Sequence, residues 1–580
     1  MTRMFLLVTL ILTVILSGCQ SEGEENGEET AVTTTSAQAN ITPTSKPTIA
    51  PTDTLAPTVI ATPVPETVTN WWDDTVFYEV FVRSYYDSDG DGVGDINGLI
   101  ERLDYLNDGD PATTDDLGVT GIWLMPIMES PSYHGYDVVD YYQVDEEYGT
   151  EEDFKRLMAE AEKRGIKVIV DLVLNHTSAQ HPWFTEAEAG EDAVARDWYV
   201  WEDENPGWSG PNGQVVWHES PTGYYYGVFW DQMPDLNLTN EATTDEMHTI
   251  ARYWLEEMGV DGFRLDAIKY LVAEGDMQVG TQSTHAWMKE FYDVYKETNP
   301  EAFAVGEVWS PTFEAVKYVG DEVDATFEFD LAEAILSGVL SKKADPIARA
   351  QRKVVETYPP GQYGIFLTNH DQNRVMSRLL EDENRAKLAA TLLLTSPGVP
   401  FVYYGEEIGQ VGAKPDEDIR RPLQWDSSEN AGFSIGQPWR EPYEDFEERN
   451  IAVQMDDPDS LLSHYRDLIR LRNEHEALRT GDWTQVETNE SHTYAFLRHH
   501  GDEFILVLVN LGVNPVEEYE LMLDEGIFDG IASDSLQAVS LYGQENPAGP
   551  TINESGGFIG YRPFTSLPPQ SNVIIQLSID

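Results

Sequence analysis

The feature that most constrains this chain is a rhythm. Short apolar runs at 76–82, 121–125, 168–174, 303–305, 365–368 and 401–404 are separated by amphipathic stretches such as 152–164 and 244–258. Runs this short and this continuously apolar read as parallel strands buried on both faces, and the stretches between them read as helices with one charged face. Sustained over about 400 residues, the alternation predicts an α/β fold, a (β/α)8 TIM barrel with insertions, since about 250 residues suffice for the bare barrel. An open doubly wound sheet is the alternative. No Gly-rich phosphate loop follows the first strand, which counts against it.

Four stretches at predicted strand ends carry one carboxylate each: Asp171-Leu172-Val173-Leu174-Asn175-His176, Gly262-Phe263-Arg264-Leu265-Asp266, Gly306-Glu307-Val308-Trp309 and Thr368-Asn369-His370-Asp371. A barrel gathers such ends on its C-terminal face, where enzymes of this fold place their chemistry. Retaining cleavage of a glycosidic bond needs a carboxylate to attack the anomeric carbon and a carboxyl to protonate the leaving oxygen. It also needs negative charge near an oxocarbenium-like transition state. Asp266, Glu307 and Asp371 suit these duties. Side chains alternate along a strand, so Arg264 shares a face with Asp266 and keeps it ionised and aimed. A plain ion pair at a strand end is the bland alternative. Glu307 follows the apolar Phe303-Ala304-Val305 and precedes Trp309, a setting that raises a carboxyl pKa and suits a general acid.

Lys and Arg number 36 against 103 Asp and Glu, a formal charge of −67. Such a chain repels phosphate backbones and anionic membrane surfaces, which argues against a nucleic-acid partner. A neutral sugar meets no such repulsion.

The chain divides by composition. Residues 1–19 carry a basic start and an apolar stretch from Met4 to Leu16, too short to span a bilayer, which reads as an export signal. It ends in Leu16-Ser17-Gly18-Cys19, which resembles the bacterial lipobox, so that Cys19 is expected to carry lipid and anchor an exported protein at a membrane or cell surface. Cys19 is the one cysteine in the chain, so an internal disulfide is excluded. Residues 20–69, rich in Thr, Pro, Ser and Glu, cannot bury enough apolar surface to fold and read as an extended tether. The barrel is expected over 70–175 and 238–480. Between them, 176–237 is crowded with Trp and Tyr and reads as an irregular inserted domain after the third strand. Residues 481–580, with strand-like segments at 493–498, 503–511 and 572–577, read as a terminal antiparallel β-sandwich.

With these motifs in order, the chain resembles the α-amylase family, glycoside hydrolase family 13, from Trp71 onward. Met233-Pro234-Asp235-Leu236-Asn237 resembles that family's fifth signature region, and Gly398-Val399-Pro400-Phe401-Val402-Tyr403-Tyr404-Gly405-Glu406 resembles its eighth-strand motif. The resemblance implies Asp266 as nucleophile, Glu307 as acid and then base, and Asp371 as the residue that binds sugar hydroxyls. It implies Arg264 orienting Asp266, His176 and His370 bonding the sugar, and Tyr136 stacking beneath it, with Trp309 and Arg374 placed among the substrate-binding residues.

The run Asp87-Ser88-Asp89-Gly90-Asp91-Gly92-Val93-Gly94-Asp95 spaces oxygens at alternate positions, as Ca2+ prefers, although Gly98 stands where an EF-hand wants Glu. It resembles a calcium loop in part of the family, with Asp87, Asp89, Asp91, Asp95 and the Val93 carbonyl as ligands. Asn175 joins a second calcium site in many members, but Tyr270 stands where they carry a histidine ligand, and that site stays open. For specificity, Met233 resembles the group intermediate between neopullulanases and oligo-1,6-glucosidases. Ala267 fits members that cut α-1,4 links, and Tyr133 replaces an aspartate that closes the pocket of many exo-acting α-glucosidases. Together they imply endo cleavage of starch, maltodextrins and related α-glucans. Cyclomaltodextrinase-like, exo α-glucosidase and transglycosylase activities are the rivals within the class. A non-catalytic glycan-binding lipoprotein is the rival outside it, and retention of all three carboxylates weighs against that.

Overall fold

The computed structural model describes residues 70–579 apart from 525 and 529–535. The export segment, Cys19 and the tether lie outside the described residues. Eight parallel strands, β1 (Phe77–Val80), β2 (Gly121–Leu124), β3 (Lys167–Leu172), β4 (Gly262–Leu265), β5 (Phe303–Gly306), β6 (Ala325–Phe327), β7 (Tyr363–Ile365) and β8 (Val399–Tyr403), form a barrel. It closes because β1 pairs with both β2 and β8. Two strands differ from expectation. β7 lies earlier than 365–368, because Ile365 faces Pro400, which has no amide hydrogen to continue the ladder. β6 has three residues, centred on Thr326 between Asp324 and Glu328, too few for an apolar run.

Helices cover the barrel with apolar stripes inward. Glu151–Lys163 begins at Thr150, whose hydroxyl accepts from the Asp153 amide while the Asp153 carboxylate accepts from the Thr150 amide, and it buries Phe154, Leu157 and Ala161. Glu241–Glu256 begins at Asn240, which caps the Ala242 and Thr243 amides.

The barrel lumen is layered by the two-residue period of its strands. Phe77, Phe303 and Phe401 stack near the N-terminal end, with ring centroids 5.6 and 4.7 Å apart. One inward position further along, Glu79, Asp171 and Arg264 replace them, all but fully buried. An apolar plug therefore supports a charged layer. Gly262 opens β4 because a Cβ there would lie 1.9 Å from the Phe303 carbonyl oxygen.

The insertion leaves the barrel at His176 and returns at Asp235, and the two bridge each other. It holds the helix Pro182–Ala187 and a three-stranded antiparallel sheet in which Gly223–Tyr226 lies between Trp201–Glu202 and Trp217–Ser220. Most of its aromatic rings are structural: Trp201 stacks on Phe184 and lies under the Arg196 guanidinium. Phe229 and Trp230 stay exposed.

The C-terminal domain is antiparallel, built from β9 (Asp482–Thr488), β10 (Thr493–His500), β11 (Glu503–Asn510), β12 (Leu521–Leu523), β13 (Leu536–Tyr542), β14 (Phe558–Tyr561) and β15 (Ser571–Ile579). Its strands form one continuous ladder, because β9 pairs with β10 along Asp482–Val486 and with β12 through Glu487 and Thr488. Leu497, Leu506, Leu521, Phe558 and Ile575 fill its own core. From the other face of β10, Tyr494 and Phe496 join the barrel core. No helix among the described residues is long and apolar enough to cross a membrane.

Candidate active site

The charged layer converges on Arg264, which is fully buried and pairs in register with Asp171 of β3 and Val305 of β5. Its Nη1 donates to Asp171 Oδ1 and Oδ2 at 2.9 and 3.0 Å and to Asp266 Oδ1 at 2.7 Å. Its Nη2 donates to Glu307 Oε2 at 2.7 Å. One planar fork thus fixes three carboxyl groups from three strands. Trp123 lies beneath it, with the guanidinium carbon 5.2 Å from the ring centroid.

Burial pushes Glu307 up to about 7 against the pull of Arg264, with Asp266 and Asp371 adding to the rise. A carboxyl held there is half protonated near neutral pH, as a general acid requires. Asp171, on which burial also outweighs Arg264, stands at about 7. Ala267, next to Asp266, adopts the left-handed conformation at φ 49° and ψ 34°. Strain of this kind persists where a site over-determines the backbone.

Opposite lies a second group. His370 is fully buried, with Nδ1 2.5 Å from Glu79 Oε1 and Nε2 2.7 Å from the Tyr136 hydroxyl. Asp371 accepts from Arg420 Nη2 at 2.9 Å. Burial raises the Asp371 pKa, but His370, Arg420 and Lys414 more than offset this and leave it at about 2.

A cleft of about 670 Å³ joins the two groups. Asp266, Glu307, Asp371, Tyr136, His176 and Trp309 line it, and Trp309 stacks on Phe329 with ring centroids 4.8 Å apart. Arg374 does not reach it. Its Nε and Nη1 donate to the Ile419 and Tyr404 carbonyls, and its guanidinium packs on the Tyr403 and Tyr404 rings. Arg420 takes the cleft position instead. Sequence reasoning also missed Glu79, whose signal was available: an acidic residue at an inward position of an apolar strand. Arg420 and Phe229 sit in irregular segments with no period to betray them.

In the acidic loop, carboxylate oxygens of Asp87, Asp89 and Asp95 lie within 4.8 Å of one another. Gly90 and Gly92 take positive φ of 87° and 98°, and a Cβ on Gly92 would meet the Gln437 carbonyl oxygen at 1.9 Å. Asp91 is more exposed, and its pKa is raised by its partial burial and by Asp89, Asp87 and Asp95. This hard-oxygen set fits a divalent cation. At the proposed second site, Asn175 Oδ1 is buried without a partner among the described residues, beside the buried Asp235. Tyr270 packs instead on Phe229. Only the first loop brings three such ligands together among the described residues.

A closed (β/α)8 barrel with carboxyls clustered around one guanidinium at its strand ends defines a barrel glycoside hydrolase. A family model described as the alpha amylase catalytic domain matches residues 79–481, and the chain belongs to the alpha-amylase family. It is 39% identical to Alpha-amylase 3 of Dictyoglomus thermophilum over 76% of this chain and 85% of that one. It is also 32% identical to an oligo-1,6-glucosidase of Heyndrickxia coagulans over 77% of this chain and 93% of that one. The crystal structure of an alpha-amylase from H. orenii superposes with a TM-score of 0.75 at 39% identity, covering 87% of this chain and 99% of that one.

Proposed function

We propose that this glycoside hydrolase is a retaining, endo-acting enzyme that cleaves α-1,4 bonds of starch, maltodextrins and related α-glucans. The observation that carries the reading is the Arg264 fork, which holds Asp266 and Glu307 side by side. Retaining enzymes keep their two carboxyls about 5–5.5 Å apart, whereas inverting ones need about 6.5–9.5 Å to admit a water. Asp266 attacks the anomeric carbon as Glu307 gives its proton to the departing oxygen. Glu307 then takes a proton from water, which attacks the same carbon and releases Asp266. Asp371, kept ionised, binds hydroxyls of the sugar being cleaved.

Endo action is supported by Tyr133, an aromatic residue where many exo-acting relatives carry an aspartate. Its ring stacks on Trp439 and lies 5.9 Å from the Arg420 guanidinium. Chromatography of products from soluble starch tests this: mixed maltooligosaccharides are expected early, and glucose alone from the first minutes would refute it. Ring opening of cyclic dextrins in preference to starch would favour a cyclomaltodextrinase, and longer products from a maltooligosaccharide would favour transglycosylation.

Asp87, Asp89, Asp91, Asp95 and the Val93 carbonyl would hold Ca2+, which when bound neutralises their repulsion and braces the loop. Export and a lipid anchor on Cys19 complete the proposal. Release of a Cys19→Ala variant from the membrane fraction is the expected result.

A further inference from the structure

Beneath the cleft runs a chain of hydrogen bonds whose direction can be worked out by counting protons. Arg264 Nη1 donates to both oxygens of Asp171, and the Tyr136 hydroxyl donates its one hydrogen to Asp171 Oδ2 at 3.0 Å. Above the pH range to which burial raises Asp171, about 7, that carboxylate can only accept. The Tyr136 oxygen must then accept from His370 Nε2, 2.7 Å away. Asp371 Oδ2, at 3.4 Å from the same nitrogen, points to a hydrogen there as well. With Nε2 protonated, Nδ1 either accepts from Glu79 or carries a second proton against a Glu79 carboxylate.

The surroundings decide between these. Burial holds the imidazole well below its ordinary value, and Arg420, Arg264 and Lys414 add to this while Asp371 opposes it. Burial holds Glu79 well above the carboxylate range, and Asp371 and Asp171 add to this against Arg264 and a hydrogen bond from the His370 backbone amide. Tyr403 of β8 also faces Glu79 and is neutral. A buried ion pair here would carry a large desolvation cost that a neutral pair avoids.

We infer that Glu79 is a positioning residue of the cleavage subsite, donating its carboxyl hydrogen to His370 Nδ1 and so locking the Nε2–H tautomer toward Tyr136 and Asp371. The inference rests on the glycosidase reading of the cleft. A histidine in the wrong tautomer presents a lone pair where the site needs a hydrogen, and the subsite loses its alignment.

The test compares Glu79→Gln with Glu79→Leu in the full chain. Glutamine can donate to Nδ1 as a protonated carboxyl does, and leucine cannot. Glu79→Leu is expected to lower kcat on maltoheptaose about 100-fold with KM moved less than about threefold, and Glu79→Gln to recover all but about fivefold. Long-range ¹H–¹⁵N spectra of the imidazoles, with His370 assigned by its loss in His370→Gln, should show one protonated nitrogen, Nε2, above about pH 7. Hydrogens on both nitrogens would overturn the inference. So would a Glu79→Gln variant as inactive as Glu79→Leu with parental melting. If the leucine variant fails to fold, the glutamine variant and the spectrum decide. Full activity of Glu307→Gln would instead overturn the glycosidase reading and leave the tautomer standing.

Discussion

The amide of Ala267 donates to Oε2 of Glu307 at 3.2 Å from a residue held in the left-handed conformation. The residue after the proposed nucleophile therefore helps to hold the proposed acid, and backbone strain couples the two.

Ala267→Val should show this coupling. A β-branched residue resists positive φ, which already costs about 1–2 kcal/mol for an ordinary one. The turn is expected to relax and the amide to swing away, lowering kcat about tenfold, the worth of roughly one hydrogen bond. Ala267→Gly accommodates the turn and should lose much less. Parental kcat in the valine variant would show that the amide contributes nothing.

The pH profile of kcat/KM should fall on its alkaline side near pH 7. Glu307 must be protonated to donate, and its pKa is raised to about 7, so activity is present below that value and lost as pH rises through it. The same raised value means that Glu307 contributes stability that is fully present below the ordinary carboxylate range and lost through about 7. Asp371, at about 2, does not shape the profile over this range. An alkaline limb two or more units higher would contradict the assignment of Glu307.

Arg420 and Arg374 should separate binding from stability. Arg420→Gln removes the 2.9 Å partner of Asp371 and is expected to raise KM about tenfold or more, the effect of a charged hydrogen bond. Arg374→Gln leaves the Tyr404 and Ile419 carbonyls buried without a donor. It should destabilise the fold by about 2–4 kcal/mol with KM nearly unchanged. Paired kinetics and denaturant melts distinguish the two.

Chelation tests the acidic loop. Removing divalent cations should lower the melting temperature, with recovery on adding Ca2+ that grows with the logarithm of its concentration. Asp87→Asn should blunt that response. Gly92→Ala should destabilise the loop even with Ca2+ present, since its Cβ has no room beside Gln437. A calcium-independent melt in the parent protein would exclude a structural ion.

The barrel was legible because its strands are apolar runs with helical stretches between them, and the site because its carboxylates stand at the ends of those runs. What stayed hidden lies where period carries no information. Three-residue β6 is too short to alternate. Arg420 approaches from an irregular segment after β8, while Arg374, only three residues beyond Asp371 in sequence, turns away into carbonyls. Glu79, an acid within the apolar strand β1, was passed over because one charged residue among four hardly alters a hydropathy pattern. The pairing of β1 with β8 and β2 places it in the lumen.

The sharing of Arg264 has a consequence for charge balance. Arg264 touches three carboxyl groups, Asp171, Asp266 and Glu307, and Arg420 touches a fourth, Asp371, so the acids in contact with these two arginines outnumber them. A neutral sugar gains little from that excess, whereas a ring acquiring positive charge as its bond breaks is drawn to it, so the sharing itself favours the transition state over the substrate.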